Sequence, residues 1–160
     1  MKIFFAADHA GFLLKEALKD FAHTLGHEVE DMGATTLVAE DDYPDYVTPL
    51  ANSVASSPGS FGVIVGGSGQ GEAMAANRVR GVRALLFYGT TKAFAPIEAE
   101  GTPSSDGFDI VRLARRHNDA NVLSLGARFV SGEDAREALR IFIDTAFSGA
   151  ERHRRRIAKF

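Results

Sequence analysis

An apolar run, Phe61-Gly62-Val63-Ile64-Val65, leads into Gly66-Gly67-Ser68-Gly69-Gln70-Gly71-Glu72 and then into a helix-forming stretch over 72–78. A strand, a glycine loop and a helix in this order make one βα unit, the element from which parallel sheets are built. The loop also has chemical meaning. Backbone N–H groups that open a helix beyond a strand converge on one point and favour negative charge there, either a phosphate or an oxyanion formed during a reaction. Glu72 puts a proton acceptor on the rim of that cradle, and the combination suggests proton abstraction beside a carbonyl.

The rest of the chain repeats the alternation. Strand-like runs fall at 2–7, 27–32, 83–87 and 121–125. A helix is expected over 12–25, with Leu14, Leu18, Phe21, Ala22 and Leu25 on one face and Gly26 as its stop. Another spans 45–57 and ends at Pro58-Gly59. The clearest spans 131–147: Ser131 and Asp134 have N-cap spacing, and Ala135, Ala138, Leu139, Phe142, Ile143 and Ala146 line one face. Residues 33–43 form a polar loop. The stretch 90–116 is broken by Pro96, Gly101, Pro103, Ser104, Ser105 and Gly107, which predicts a helix, a loop and a second helix ending near Arg116.

This pattern predicts a three-layer, doubly wound, Rossmann-like α/β fold: a five-stranded parallel sheet with helices on both faces. One domain is expected over 1–148, followed by a basic C-terminal tail at 149–160. Ligands in such folds bind at the carboxyl ends of strands. Asp8-His9, the glycine loop and Arg128 all fall at such ends.

Composition narrows the function. A chain of 160 residues with 45% hydrophobic and 24% charged content has enough apolar surface for a real core. A net charge of -3 argues against nucleic-acid binding by bulk charge. Cysteine is absent, which removes disulfides, zinc-thiolate sites and a cysteine nucleophile. The N-terminal run reaches Asp8 too early for a signal peptide, and no apolar run approaches a membrane span. A soluble cytoplasmic protein is expected, without a nucleic-acid or membrane partner.

Each motif has a plainer reading beside the chemical one. The loop could be a tight turn that needs glycine only for its backbone angles. It is not a dinucleotide fingerprint: Gly67 and Gly69 fit, but the third glycine position falls on Glu72, and no acidic residue follows at ribose-binding distance. Glu72 alone could serve only to stabilise the helix start, and there the dipole would lower its pKa. Asp8 could simply cap a helix. His117-Asn118-Asp119-Ala120-Asn121 could be a surface turn. The run Arg152-His153-Arg154-Arg155-Arg156 could be a solvated end, although the spacing of Arg152 and Arg156 also puts both on one helical face, suited to a phosphate. His23 and His27 have no metal-ligand spacing, and no metal is expected.

Together the motifs resemble the ribose-5-phosphate isomerase B family, which includes galactose-6-phosphate isomerase subunits. The resemblance is carried by Ala7-Asp8-His9-Ala10-Gly11, Tyr43-Pro44-Asp45, the loop from Gly66 to Glu72, Ala75-Ala76-Asn77-Arg78, Gly81-Val82-Arg83, Arg116-His117-Asn118-Asp119-Ala120-Asn121, Gly126-Ala127-Arg128 and the Arg152–Arg156 run. It implies an aldose–ketose isomerase of a sugar phosphate that needs no cofactor and works through an enediolate. One branch of the family uses a cysteine base at the position of Gly66; this chain resembles the other, with Glu72 as base. By position, His117 would assist ring opening. The amides of Gly67, Ser68, Gly69, Gln70 and Gly71 would hold the enediolate, and Ser68 would help move protons between oxygens. Asp8 and His9 would contact the sugar, Asn118 its hydroxyls, and His9, Arg152, Arg156 and Arg128 the phosphate. The family's sites lie between subunits, which implies a homodimer, with pairing into a tetramer left open. One departure stands out: the connection from Tyr88 to His117 is longer than is usual in the family, with extra material around 94–109. Ribose 5-phosphate is the first substrate expectation. Tetrose or hexose phosphates, a non-catalytic sugar-phosphate binder and a nicotinamide enzyme stand as alternatives.

Overall fold

The computed structural model describes residues 1–97, 103–104 and 106–160. Strands β1 (Lys2–Ala7), β2 (Glu28–Asp31), β3 (Phe61–Gly66), β4 (Ala84–Phe87) and β5 (Val122–Gly126) form one sheet in the order β2-β1-β3-β5-β4. Every pairing in it is parallel. The helices are α1 (Phe12–Thr24), α2 (Pro44–Ser56), α3 (Gln70–Ala76), α4 (Asp109–Asn118), α5 (Gly132–Asp144) and α6 (Glu151–Ile157). The expected doubly wound architecture is present.

Two cores explain why the strands read as unbroken apolar runs. Ile3, Phe5 and Ala7 of β1 face Leu18 and Ala22 of α1 and Leu139 and Phe142 of α5. Their neighbours Phe4 and Ala6 face the opposite side, against Val47, Leu50, Ala51 and Val54 of α2. Strand geometry sends alternate side chains to opposite faces, and both faces here are covered.

The topology sets the functional edge. The chain leaves β1 towards β2 on one side, then crosses to β3 on the other, so the connections diverge between β1 and β3. At such a switch point a crevice opens beyond the carboxyl ends of the strands. With β5 next to β3, the segments after β1, β3 and β5 meet at one edge.

Several expected boundaries move. No helix follows Thr90 in the described part of 90–97. That stretch is hemmed in by Gly89, at φ 148°, and by Pro96, which has no amide hydrogen. Thr91 N–H instead reaches Gly107 O at 3.0 Å and closes the base of the insertion. The start of α4 is set by Asp106, which accepts from Phe108 N–H at 2.8 Å and from Arg112 at 2.6 Å. The parts of the expected insertion at 98–102 and 105 lie outside the described residues.

Helix α5 ends at Asp144, short of the expected 147, because α4 draws the following chain away: Arg115 Nε donates to Thr145 O at 3.1 Å and Ser148 N–H to Arg116 O at 3.0 Å. Ala146 is therefore exposed, and Leu25, just past α1, is also on the surface. The basic C-terminal segment forms α6, which packs on α4 and buries His153.

A buried cation secures the loop after β2. Lys15 of α1 is fully buried, pairs with Asp31 at the end of β2, and donates to Ala34 O at 3.1 Å. Ala34 N–H in turn reaches Ala7 O at 3.2 Å, so the loop leaves the sheet beside the end of β1.

Candidate active site

The glycine loop leaves β3 and turns into α3 through Gly69, at φ 74°. A Cβ on Gly69 would also lie 2.9 Å from the Leu125 backbone, so both conformation and space require glycine. Ser124 Oγ donates to Gly69 O at 2.7 Å and ties the loop to β5. Glu72 lies in the first turn of α3 and is only 5% exposed. Its carboxyl rests against Gly66, where an added Cβ would be 1.7 Å from Oε1. Burial raises its pKa; a hydrogen bond from its own backbone N–H opposes the rise, and the charge of Asp8 adds to it. A carboxyl that served only the helix dipole would be lowered instead. The observed direction is the one a general base needs to work nearer neutrality.

Around this carboxyl the predicted residues of the carboxyl edge gather. Asp8 is buried, and its Oδ1 accepts from Ala10 N–H at 3.0 Å and Gly11 N–H at 3.3 Å, so it caps the turn into α1 while its charge reaches Glu72. Ser68 Oγ accepts from Gln70 N–H at 3.3 Å. Ser68 and Gln70 border a shallow hollow with Tyr88 and Phe129, whose rings meet edge-on at 6.3 Å. Arg128 lies along Gly67: its N–H donates to Gly67 O at 3.1 Å, and its guanidinium carbon is 3.2 Å from where a Cβ would stand. Tyr43 packs its hydroxyl end on Gly71, 2.6 Å from the corresponding Cβ position.

His9 has a partner that sequence reasoning missed. Asp41, from the loop after β2, accepts from the His9 backbone N–H at 2.9 Å and faces ring Nδ1 at 2.7 Å with the same Oδ1. The Asp41 hydrogen bond raises the His9 pKa; desolvation lowers it, the charges of Asp8 and Asp41 raise it further, and Arg128 opposes. Burial pushes the Asp41 carboxyl up, but the His9 amide, the His9 ring and the Tyr46 hydroxyl outweigh it and hold it below its ordinary value. The Tyr46 contribution is an offset one, since Oδ2 has no partner at full hydrogen-bond geometry among the described residues. Nothing in the run Glu40-Asp41-Asp42 singles out the middle residue. Asp8, His9 and Asp41 bring ligand-type atoms within 4.8 Å of one another, a spacing a cation could use. Their atoms already bond to each other and to amides, and we read the trio as a hydrogen-bonded cluster.

The remaining predicted residues lie elsewhere in the chain. His117 and Asn118 end α4, directly before β5. Because Val122 pairs with Gly62 and Gly126 with Gly66, they sit at the amino edge of the sheet, and the glycine loop sits at the carboxyl edge. The four register steps between those pairs span about 13 Å. Arg152 and Arg156 are exposed on α6, which packs on α4. The His117 ring lies 4.2 Å from that of His153, an unforeseen contact. His153 Nδ1 is 2.7 Å from Ser148 Oγ, and Arg152 Nε donates to its Nε2 at 3.2 Å.

Other residues of the motifs are scaffold. Arg83 Nε donates to Asn118 O at 2.8 Å and its NH2 pairs with Asp119 at 3.1 Å. Asn121 receives Arg83 N–H at 2.8 Å and donates to Gly81 O at 2.8 Å. Asp119, at φ 47°, closes α4 in the left-handed region. The predicted residues of one chain thus fall into two groups: Glu72, the glycine loop, Asp8, His9 and Arg128 at one edge, and His117, Asn118, Arg152 and Arg156 away from it.

Among the described residues, no helix is long and apolar enough to cross a membrane. The ribose/galactose isomerase family model matches residues 3–100 and 107–160, leaving unmatched only the two N-terminal residues and a short piece of the insertion. The chain is 36% identical over 157 residues to ribose-5-phosphate isomerase B of Mycobacterium tuberculosis H37Rv, covering 98% of this chain and 86% of that protein. A solved ribose 5-phosphate isomerase from Thermotoga maritima is 39% identical with a TM-score of 0.81, covering 99% of this chain and 95% of that one. Ribose-5-phosphate isomerase B from Mycoplasma genitalium, solved with bound ribulose 5-phosphate, is 34% identical with a TM-score of 0.84, covering 99% and 92%. On this match across nearly its whole length, the chain belongs to the ribose/galactose isomerase family and is an aldose–ketose isomerase.

Proposed function

We propose that the chain interconverts ribose 5-phosphate and ribulose 5-phosphate through an enediolate, with Glu72 as the base. The observation that carries this reading is the buried Glu72 carboxyl, raised in pKa and set against a loop of backbone amides. Ionised Glu72 takes the proton from C2 of the open-chain aldose. The C2–H electrons form the C1–C2 double bond, and the carbonyl electrons move onto O1, where the amides of Gly67 to Gly71 offset the charge. Ser68 passes the O2 proton to O1. Protonated Glu72 then returns its proton to C1, which leaves the carbonyl at C2.

His117 assists ring opening and Asn118 holds hydroxyls, both supplied by a second copy of the chain. The separation of the two groups across the sheet supports a shared site in a homodimer. His9, Arg152 and Arg156 receive the phosphate, and Arg128 stands beside it. The hollow beside Ser68 is bordered by Tyr88, at the root of the unusual insertion, so the length of sugar accepted is decided there.

The test is a panel of four-, five- and six-carbon aldose phosphates compared by kcat/KM, run in deuterated water. Ribose 5-phosphate should give the highest value, with label entering at the carbon that is reprotonated. A hexose or tetrose phosphate ahead of it would overturn the substrate, and binding without label uptake would overturn the chemistry.

A further inference from the structure

We propose that Asp41 is a positioning residue for the anion site, holding the His9 ring so that Nε2 is the nitrogen offered to the substrate's phosphate. The inference rests on the assignment of His9 to that phosphate made above. One carboxylate oxygen grips His9 twice, at the backbone N–H (2.9 Å) and at ring Nδ1 (2.7 Å). The first bond fixes where the residue stands and the second fixes how its ring is turned. With Nδ1 engaged, Nε2 is the ring nitrogen left to meet an anion.

The grip is itself anchored. The Asp41 side chain is only 7% exposed, and the loop that carries it is pinned at its start by Lys15 on Ala34. The groups facing the pair come from four directions: Asp8 beyond β1, with Oδ2 4.0 Å from Nδ1; Asp41 on the loop after β2; Tyr46 on α2; and Arg128 after β5. Desolvation and the charge of Arg128 work against a protonated ring, but the Asp41 hydrogen bond and the charges of Asp8 and Asp41 outweigh them, and the sum favours protonation. A protonated ring presents Nε2–H to a phosphate oxygen as a charge-assisted donor. A freely turning neutral ring could present a lone pair to the same oxygen, which repels it.

Asp41→Asn keeps the shape and removes the charge. It should raise KM for ribose 5-phosphate about tenfold, the worth of one charge-assisted hydrogen bond, and raise the inhibition constant of inorganic phosphate in parallel. Turnover number should stay within about twofold. The pH at which KM begins to climb on the alkaline side should move down, because the carboxylate that favours the imidazolium is gone. In a His9→Asn background the same change should add nothing. A fall in kcat at constant KM, a KM effect without the pH shift, or an equal effect in the His9→Asn background would overturn the proposal. Nitrogen-15 NMR of the wild-type protein gives an answer that needs neither variant nor turnover: inorganic phosphate should perturb His9 Nε2, and perturbation of Nδ1 instead would overturn it. If no sugar phosphate is isomerised, the functional reading fails, and this titration still decides the role of Asp41.

Discussion

The carboxyl of Glu72 occupies the space that a side chain on Gly66 would need. A Cβ there would stand 1.7 Å from Oε1 and 2.1 Å from the carboxyl carbon. The end of β3 and the first turn of α3 are therefore fitted to each other, and a side chain at position 66 would have to push the Glu72 carboxyl out of its place. The carboxyl is buried there, and desolvation is the leading cause of its raised pKa.

Gly66→Ala should disable the enzyme without touching the acid itself. Displacing a positioned group by an ångström costs on the order of 10² in rate, so kcat should fall by about that factor. Steady-state kinetics on ribose 5-phosphate checks this, with circular dichroism confirming the fold. Wild-type turnover would mean that the carboxyl can work from another position.

Glu72→Gln removes the proposed base and keeps its volume. We expect kcat to drop by on the order of 10²–10⁴, the usual worth of a positioned proton-transfer group. Exchange of the substrate's C2 proton with solvent should be lost with it. Retention of exchange would assign the proton transfer to another group.

The same substitution should change stability with a definite sign. The folded-state pKa of Glu72 lies above its ordinary value of 4.5, so this group stabilises the fold below that value and the contribution is lost as pH rises through the folded pKa. Glu72→Gln should therefore melt higher than wild type at pH 7, and the gap should close at pH 4. Differential scanning calorimetry at the two pH values tests this; a gap that widens at low pH would contradict the burial argument.

In the proposed mechanism, the ionised carboxyl is the competent form. The acid limb of kcat/KM should accordingly fall at a pH above the ordinary carboxylate range, and Gly66→Ala, by letting water in, should shift that limb down. A pH–rate profile of both proteins measures it.

The proposal of a site shared between two chains can be decided by complementation. Glu72→Gln and His117→Ala should each be nearly inactive alone. If one site draws Glu72 from one chain and His117 from another, a mixed dimer has one intact site, and random reassortment of equal amounts restores about a quarter of wild-type activity. No recovery after verified exchange would place all the working groups within one chain.

Much of the carboxyl edge could be read directly. Asp8-His9, the glycine loop and Arg128 each follow a strand, and the parallel pattern brings the ends of β1, β3 and β5 together. The helix expected after Thr90 is absent among the described residues because local propensity loses to closure of the insertion by Thr91 and Gly107. The Arg83, Asp119 and Asn121 motif residues look like site residues in one dimension, yet they hold the turn that ends α4. Asp41 lies 32 residues from His9 in an acidic run that offers no pattern.

Residue order alone determined the alternation of strand and helix, and with it the sheet, its two buried faces and the edge where a ligand can sit. These follow from side-chain periodicity and glycine backbone freedom, which act over a few residues at a time. Folding in three dimensions decided the proton affinity of Glu72, the partner of His9 and the separation of His117 from the glycine loop. Desolvation and charge act through space between segments far apart in the chain, so only the packed arrangement sets their strength.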